Sequence, residues 1–135
     1  MDTISQERRS KNMSRIRSKD TSPELAVRRM VHAAGFRYRL HRKDLPGRPD
    51  LVFASKRKVI FIHGCFWHQH KDCIVAHRPR SNLAYWLPKL QRNQERDQRA
   101  ERELRQAGWS VLTIWECEVE DPILTERKIL KFLRD

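Results

Sequence analysis

The sequence predicts a single domain of the α/β (α+β) class, a mixed central β-sheet flanked by helices. Three observations carry this. Apolar residues fall first at helical spacing, then in a period-two segment and two short continuous runs, then at helical spacing again, then in a further run before a last amphipathic segment. That order, helix, three strands, helix, strand, helix, is the order of a sheet with helices laid on its faces. A length of 135 residues suits one hydrophobic core that needs no disulfides.

In chain order, residues 1–20 set Arg8, Arg9, Lys11, Arg15, Arg17 and Lys19 against Ile4, Met13 and Ile16. So few apolar groups bury little surface, and the segment reads as a flexible basic arm before a folded domain at 21–135. A first helix opens at Thr21-Ser22-Pro23-Glu24. Thr21 or Ser22 caps it, Pro23 suits its first turn, Gly35 ends it, and Leu25, Val31 and Ala34 lie on its apolar stripe. Glu24, three residues after Thr21, has an ordinary reading as the acid of a capping box. Phe36–Leu40 alternates at period two and predicts a half-buried strand. A turn-rich loop, 41–49, leads to Leu51–Ala54 and Val59–Ile62, whose spacing around Ser55–Lys58 predicts a hairpin.

Pro88 opens the clearest helix, which ends at Ala107 before Gly108. Its stripe is Leu90, Asn93, Asp97, Ala100, Leu104 and Ala107, so two polar residues stand in line with the buried face. A desolvated carboxylate is costly unless an arginine pairs with it or chemistry uses it, and both readings of Asp97 stand. Trp109–Trp115 is apolar enough to be a central strand. Asp121-Pro122 caps a last helix with Ile123, Leu130 and Leu133 inward.

Lys and Arg number 29 against 17 Asp and Glu, a formal charge of +12. With a pI near 10.4 and a mean hydropathy of -0.81, this favours a polyanion partner through counterion release, and nucleic acid is the usual one. The plain alternative is a basic but merely solvated surface. No apolar run approaches the ~20 residues that span a bilayer, and no signal-peptide core follows Met1, so a soluble cytoplasmic protein without a membrane role is expected. In a reducing compartment three cysteines imply metal binding or inert burial, not a disulfide framework.

The chemistry gathers between Pro49 and Cys73. Cys65, Cys73 and Cys117 with one imidazole would make a closed tetrahedral zinc site of the structural kind. Spacing alone does not choose between His68 and His70 as the fourth ligand, and three buried thiols are the bland alternative. Asp50 begins the strand predicted to pair with the one ending at His63. An acid, imidazoles and a basic surface together fit phosphodiester hydrolysis, with the carboxylate holding a hard cation and His63 or His68 moving a proton.

Phe61-Ile62-His63-Gly64-Cys65-Phe66-Trp67-His68, with Gly47-Arg48-Pro49-Asp50 upstream and Asn93–Asp97 downstream, resembles the very-short-patch mismatch endonucleases. Met13-Ser14, Thr21-Ser22-Pro23-Glu24 and Trp115-Glu116-Cys117 extend the likeness over nearly the whole chain. The resemblance implies a restriction-endonuclease-like fold and a strand-specific nick in double-stranded DNA beside the thymine of a T:G mismatch left by 5-methylcytosine deamination. It implies Mg²⁺ held by Asp50 and the Ile62 carbonyl, with Glu24, His63 and Asp97 ordering water about the cation and His68 as catalytic histidine. It implies Zn²⁺ held by Cys65, His70, Cys73 and Cys117. Phe66, Trp67 and Trp86 match aromatics that wedge beside the mismatch, which suits a wobble pair that is already cheap to unstack. Lys89 and Asn93 match residues that approach the mismatched bases, and Met13 lies in an arm reaching the opposite groove. A monomer is expected, with accessory mismatch-repair proteins among its implied partners.

Two positions depart from the family pattern. Lys71-Asp72 lengthens the gap between His70 and Cys73, and Ile62 stands where threonine is common. The acid-x-lysine half of the usual nuclease motif is absent from the family and from this chain. Two other readings stand beside the mismatch endonuclease: a non-catalytic zinc-stabilised DNA-binding module, and a related nuclease of restriction or mobile-element systems acting on unmismatched sites.

Overall fold

The computed structural model describes residues 21–73 and 79–135. Its elements run α1 (Ser22–Ala33), β1 (Arg39–Leu40), β2 (Leu51–Phe53), β3 (Lys58–His63), α2 (Leu83–Gln106), β4 (Ser110–Trp115), α3 (Glu116–Val119) and α4 (Pro122–Arg134). The basic arm at 1–20, Met13 included, lies outside the described residues. The strands form one sheet in the order β1-β2-β3-β4. Neighbours β1/β2 and β2/β3 are antiparallel, while β3/β4 is parallel, with α2 as the crossover. The mixed sheet and flanking helices are those the sequence predicts.

Both faces of the sheet are covered, which explains why its strands read as continuous apolar runs. On one face Leu51, Phe53, Ile60 and Ile114 pack against Val27 and Val31 of α1 and Ile129 and Leu133 of α4. On the other, Val52, Val59, Phe61 and Val111 pack against Leu104 of α2. Each fully buried aliphatic side chain contributes about 1.5–3 kcal/mol, so these two layers are the main support of the fold.

Several local expectations are corrected. The predicted strand 36–40 pairs only at Arg39–Leu40, and both residues are exposed, since among the described residues no strand pairs with β1 on its outer edge. β4 is an edge strand, not a central one; it is apolar because helices cover it, not because strands flank it. Helix α2 starts at Leu83, leaving Pro88 inside it, where the ring removes one backbone bond near the start. On α1 the buried stripe is Glu24, Val27 and Val31. On α4 Thr125, Ile129 and Leu133 point inward while Ile123 is 67% exposed.

Candidate active site

Four segments meet beside the carboxy end of β3: the start of α1, the start of β2, the loop after β3, and the middle of α2. A cleft of about 1020 Å³ opens there, lined by Glu24, Asp50, Ile62, His68 and Asp97. Lys43, Arg48 and Arg96 add cations to its wall, suited to a phosphate backbone.

Asp50 sits where β2 begins. Its Oδ2 accepts a 2.7 Å bond from Ile62 N–H. The ladder explains the pairing. His41 N–H donates to Asp50 C=O, so Asp50 turns its main chain to β1 and Leu51 turns its own to β3. Continuing the β2/β3 register would set Ile62 against Pro49, which has no N–H to offer. The Ile62 carbonyl thus faces the β2 side without a ladder donor from that residue. Burial, first of all, and the neighbouring Glu24 push the Asp50 carboxyl up to about 8, although Ile62 N–H opposes this. Without a cation this carboxyl keeps its proton near neutrality; a cation would displace it.

Glu24 is buried at the first turn of α1. The hydroxyl of Thr21 accepts from Glu24 N–H at 3.4 Å, which is half of a capping box. The Glu24 carboxylate bonds Arg28 and, at 3.0 Å, His41 Nε2. Donor atoms of Glu24, His41 and Asp50 all lie within 4.8 Å of one another, close enough for one divalent cation. Nothing in the sequence marks His41 for a role. A lone loop histidine carries no signal until the β1/β2 pairing folds it back over Asp50.

Across the cleft, His68 Nδ1 lies 2.5 Å from Asp97 Oδ2. The His68 ring stacks on His63, centroids 3.8 Å apart and planes 5° from parallel. His63, Asp97 and His68 also offer donor atoms within 4.8 Å. Parallel rings point their lone pairs side by side, however, so one ion cannot lie along both axes. The cluster suits proton transfer better than metal binding. Burial, reinforced by His68, holds His63 down to about 3, so its ring is neutral near pH 7. Its buried Nδ1 has no hydrogen-bond partner among the described residues.

Cys65, His70, Cys73 and Cys117 converge within 4.8 Å. A tight turn brings the first two together, with His70 N–H donating to Cys65 C=O at 3.0 Å. Cys117 arrives in the first turn of α3, just past β4. His70 Nδ1 is 3.7 Å from Cys65 Sγ and 3.4 Å from Cys117 Sγ. Bond lengths of a tetrahedral zinc centre require S···N edges of about 3.6 Å, so the donor set and spacing fit that ion. The longer gap at Lys71-Asp72 is absorbed by a left-handed turn at Asp72, φ +56°. Burial pushes the Cys65 thiol up to about 12 and Cys117 upward, so a metal must displace protons here as well. Glu116 Oε1 accepts from Cys65 N–H at 2.9 Å and steadies the loop, a contact the sequence did not announce.

Residues 1–74 match the family described as DNA mismatch endonuclease Vsr. The chain belongs to the Vsr family of DNA endonucleases. It is 50% identical over 132 residues to the type II nicking enzyme V.XorIIP of Xanthomonas oryzae, covering 98% of this chain and 96% of that one. It is 42% identical over 125 residues to DNA mismatch endonuclease Vsr of Escherichia coli, covering 88% and 80% respectively. The catalytic domain of homing endonuclease I-Bth0305I shares the fold at 22% identity, with a TM-score of 0.58 over 84% of this chain and 94% of that one. A Vsr-type endonuclease cuts DNA, so the non-catalytic module falls away. Among the described residues no helix is long and apolar enough to cross a membrane.

Within this Vsr-type domain the aromatics pack on one another, although consecutive large rings such as Phe66 and Trp67 are hard to bury together. Trp67 is only 6% exposed and Trp86 5%, and both pack with Leu90. Phe66 alone is half-buried, against both indoles. Lys89 Nζ lies 5.2 Å above the Trp67 ring. Asn93 donates to the Trp67 carbonyl at 3.3 Å and accepts from Arg96 at 2.5 Å, which ties the loop to α2. The burial is possible because α2 begins a turn and a half earlier than its proline implies, and so supplies Trp86 as a wall.

Proposed function

We propose that this endonuclease nicks one strand of double-stranded DNA beside the thymine of a T:G mismatch, with Mg²⁺ at Asp50 and a structural Zn²⁺ beneath the catalytic loop. The juxtaposition of Asp50 and the His68–Asp97 pair on one basic cleft is the observation that carries it. Mg²⁺, when bound by Asp50 and the Ile62 carbonyl, supplies Lewis-acid stabilisation of charge on the phosphate. The protein's own residues do the rest. Asp97 accepts the Nδ1–H of His68 and so leaves Nε2 to take a proton from the attacking water or to return one to the leaving oxygen. Glu24 orders water on the opposite wall. His63 fixes the His68 ring by stacking. Cys65, His70, Cys73 and Cys117 with zinc hold the loop that follows His63 and carries His68. The E. coli relative at 42% identity is a DNA mismatch endonuclease, which supports action at a mismatch.

A second reading has support of its own. The relative at 50% identity is a type II nicking enzyme. The burial of Trp67 and Trp86 also favours an enzyme whose indoles are core, nicking without a mismatch wedge. Incubating the protein and Mg²⁺ with T:G and T:A duplexes of one sequence decides. A nick confined to the T:G duplex supports the mismatch reading; equal nicking of both supports the second; no nicking of either removes both.

A further inference from the structure

We infer that His41 is an imidazole ligand of the catalytic cation, completing a Glu24–His41–Asp50 seat that takes Mn²⁺ in preference to Mg²⁺. The inference rests on the proposed cation at Asp50. It adds His41, makes Glu24 a direct ligand in place of a water-ordering group, and so sets the class of metal.

The geometry brings three donor atoms within 4.8 Å of one another, around one point. His41 Nε2 lies 3.0 Å from Glu24 Oε1 and 3.7 Å from Asp50 Oδ1. Donors at neighbouring corners of an octahedral ion of this size stand about 3.0 Å apart, and opposite corners about 4.2 Å apart. Both distances fall within that range. Two carboxylates facing each other are unfavourable unless a proton or a cation lies between them, and an imidazole nitrogen completes the set. The backbone supports this use of the ring. His41 takes a left-handed conformation, φ +46°, which is unfavourable for a non-glycine residue. Its N–H is meanwhile held by Asp50 C=O. That pairing fixes the ring at the start of β2, over the carboxylate it would share a metal with.

The chemistry then sets the preference. Mg²⁺ takes hard oxygen donors and keeps its waters, whereas Mn²⁺ accepts imidazole beside carboxylate. An oxygen-only seat also takes Mn²⁺, so the part of the bias that belongs to the imidazole is the part lost when His41 is replaced.

The test uses the full-length, zinc-loaded protein, so that His70 is already engaged. Mn²⁺ is titrated by electron paramagnetic resonance, Mg²⁺ by competition, and the bound Mn²⁺ is read by electron spin-echo envelope modulation. Wild type should show directly bonded nitrogen and bind Mn²⁺ at least about tenfold more tightly than Mg²⁺. His41→Asn, which tolerates the left-handed backbone, should abolish the nitrogen signal. It should weaken Mn²⁺ at least about tenfold and Mg²⁺ by no more than about threefold. His41→Gln is the second variant, and circular dichroism confirms that the one used is folded. Nitrogen coupling that persists in either folded variant, or an equal loss for both metals, overturns His41 as ligand. If Asp50→Asn leaves Mn²⁺ binding intact, the underlying cation assignment fails instead, and the two failures are told apart.

Discussion

His68 and Asp97 reach one another from a loop and from the middle of α2, with Nδ1 and Oδ2 2.5 Å apart. The carboxylate fixes which nitrogen carries the proton and which way the other faces. The parallel His63 ring then removes the remaining freedom of rotation. A histidine held on two sides needs little reorganisation when the reaction begins.

Replacing Asp97 by Asn should therefore harm the chemical step more than binding. The amide can donate to His68 and stabilise the wrong tautomer. Single-turnover nicking should fall about 10²–10⁴-fold, the range that general acid–base catalysis contributes. DNA affinity measured by gel shift should change by less than about threefold, because Asp97 makes no expected contact with phosphate. Equal losses in both would mean that Asp97 is part of the binding surface.

Asp50→Asn should abolish nicking while DNA binding survives, and its effect on stability should depend on pH. The native carboxyl is raised to about 8, against about 3.9 in an unfolded chain. Below the lower value both states hold the proton. Between the two the unfolded chain gives it up and the native protein retains it, so native stability falls as pH rises through this window. The asparagine variant has no such proton to lose. In magnesium-free buffer it should match wild type near pH 4 and melt higher near pH 8, with added Mg²⁺ closing the gap only for wild type. Thermal unfolding across this range checks the sign.

The element order, the three cysteines and Asp50 were legible in local pattern or residue chemistry, whereas the choice of His70 over His68 came only from the family resemblance. What stayed hidden depended on long-range placement. His41 gains its meaning from β1 pairing with β2, and β1 is too short and exposed to announce itself. Glu24 looked like half of a capping box, and the N-cap bond does exist; its carboxylate nonetheless bonds His41 and Arg28. Pro88 misplaced the start of α2, and with it the wall that buries Trp67. The apolarity of Trp109–Trp115 reported helix cover, which pattern alone does not separate from a central place in the sheet.

Gly47 shows how closely the Asp50 loop is pressed on the domain. A Cβ there would meet Ala100 Cβ at 2.7 Å and the Phe61 ring at 3.2 Å, and the backbone has φ +74°. Neither neighbour is a flexible tip that can swing away. Gly47→Ala should cost on the order of 2–3 kcal/mol, from the left-handed backbone and the overpacking together. Because the loop feeds Asp50, nicking should fall in protein that still unfolds cooperatively. Denaturant unfolding with a parallel nicking assay tests both parts.

The cysteine cluster should hold one zinc per chain. Cys117→Ser removes the ligand that ties the 64–73 loop to the end of β4. Loss of the metal's contribution, on the order of 3 kcal/mol or more, should lower Tm by about 10 °C and remove nicking. Elemental analysis of wild type and variant, with melting curves, is the check. Zinc-free wild type of full activity would refute the assignment.

The aromatic cluster needs a variant chosen for its burial. Trp67→Ala would confound function with folding, since emptying that buried site costs about 3–5 kcal/mol. Phe66 is half-buried and lines the cleft, so Phe66→Ala should cost less stability and still remove a ring from the cleft wall. If the cluster wedges beside a mismatch, this variant should lose preference for T:G over T:A by about tenfold, the value of one lost stacking contact of roughly 1.4 kcal/mol. If the indoles are only core, Phe66→Ala should alter nicking of both duplexes alike. Nicking rates on the paired duplexes, normalised to the folded fraction, separate the two.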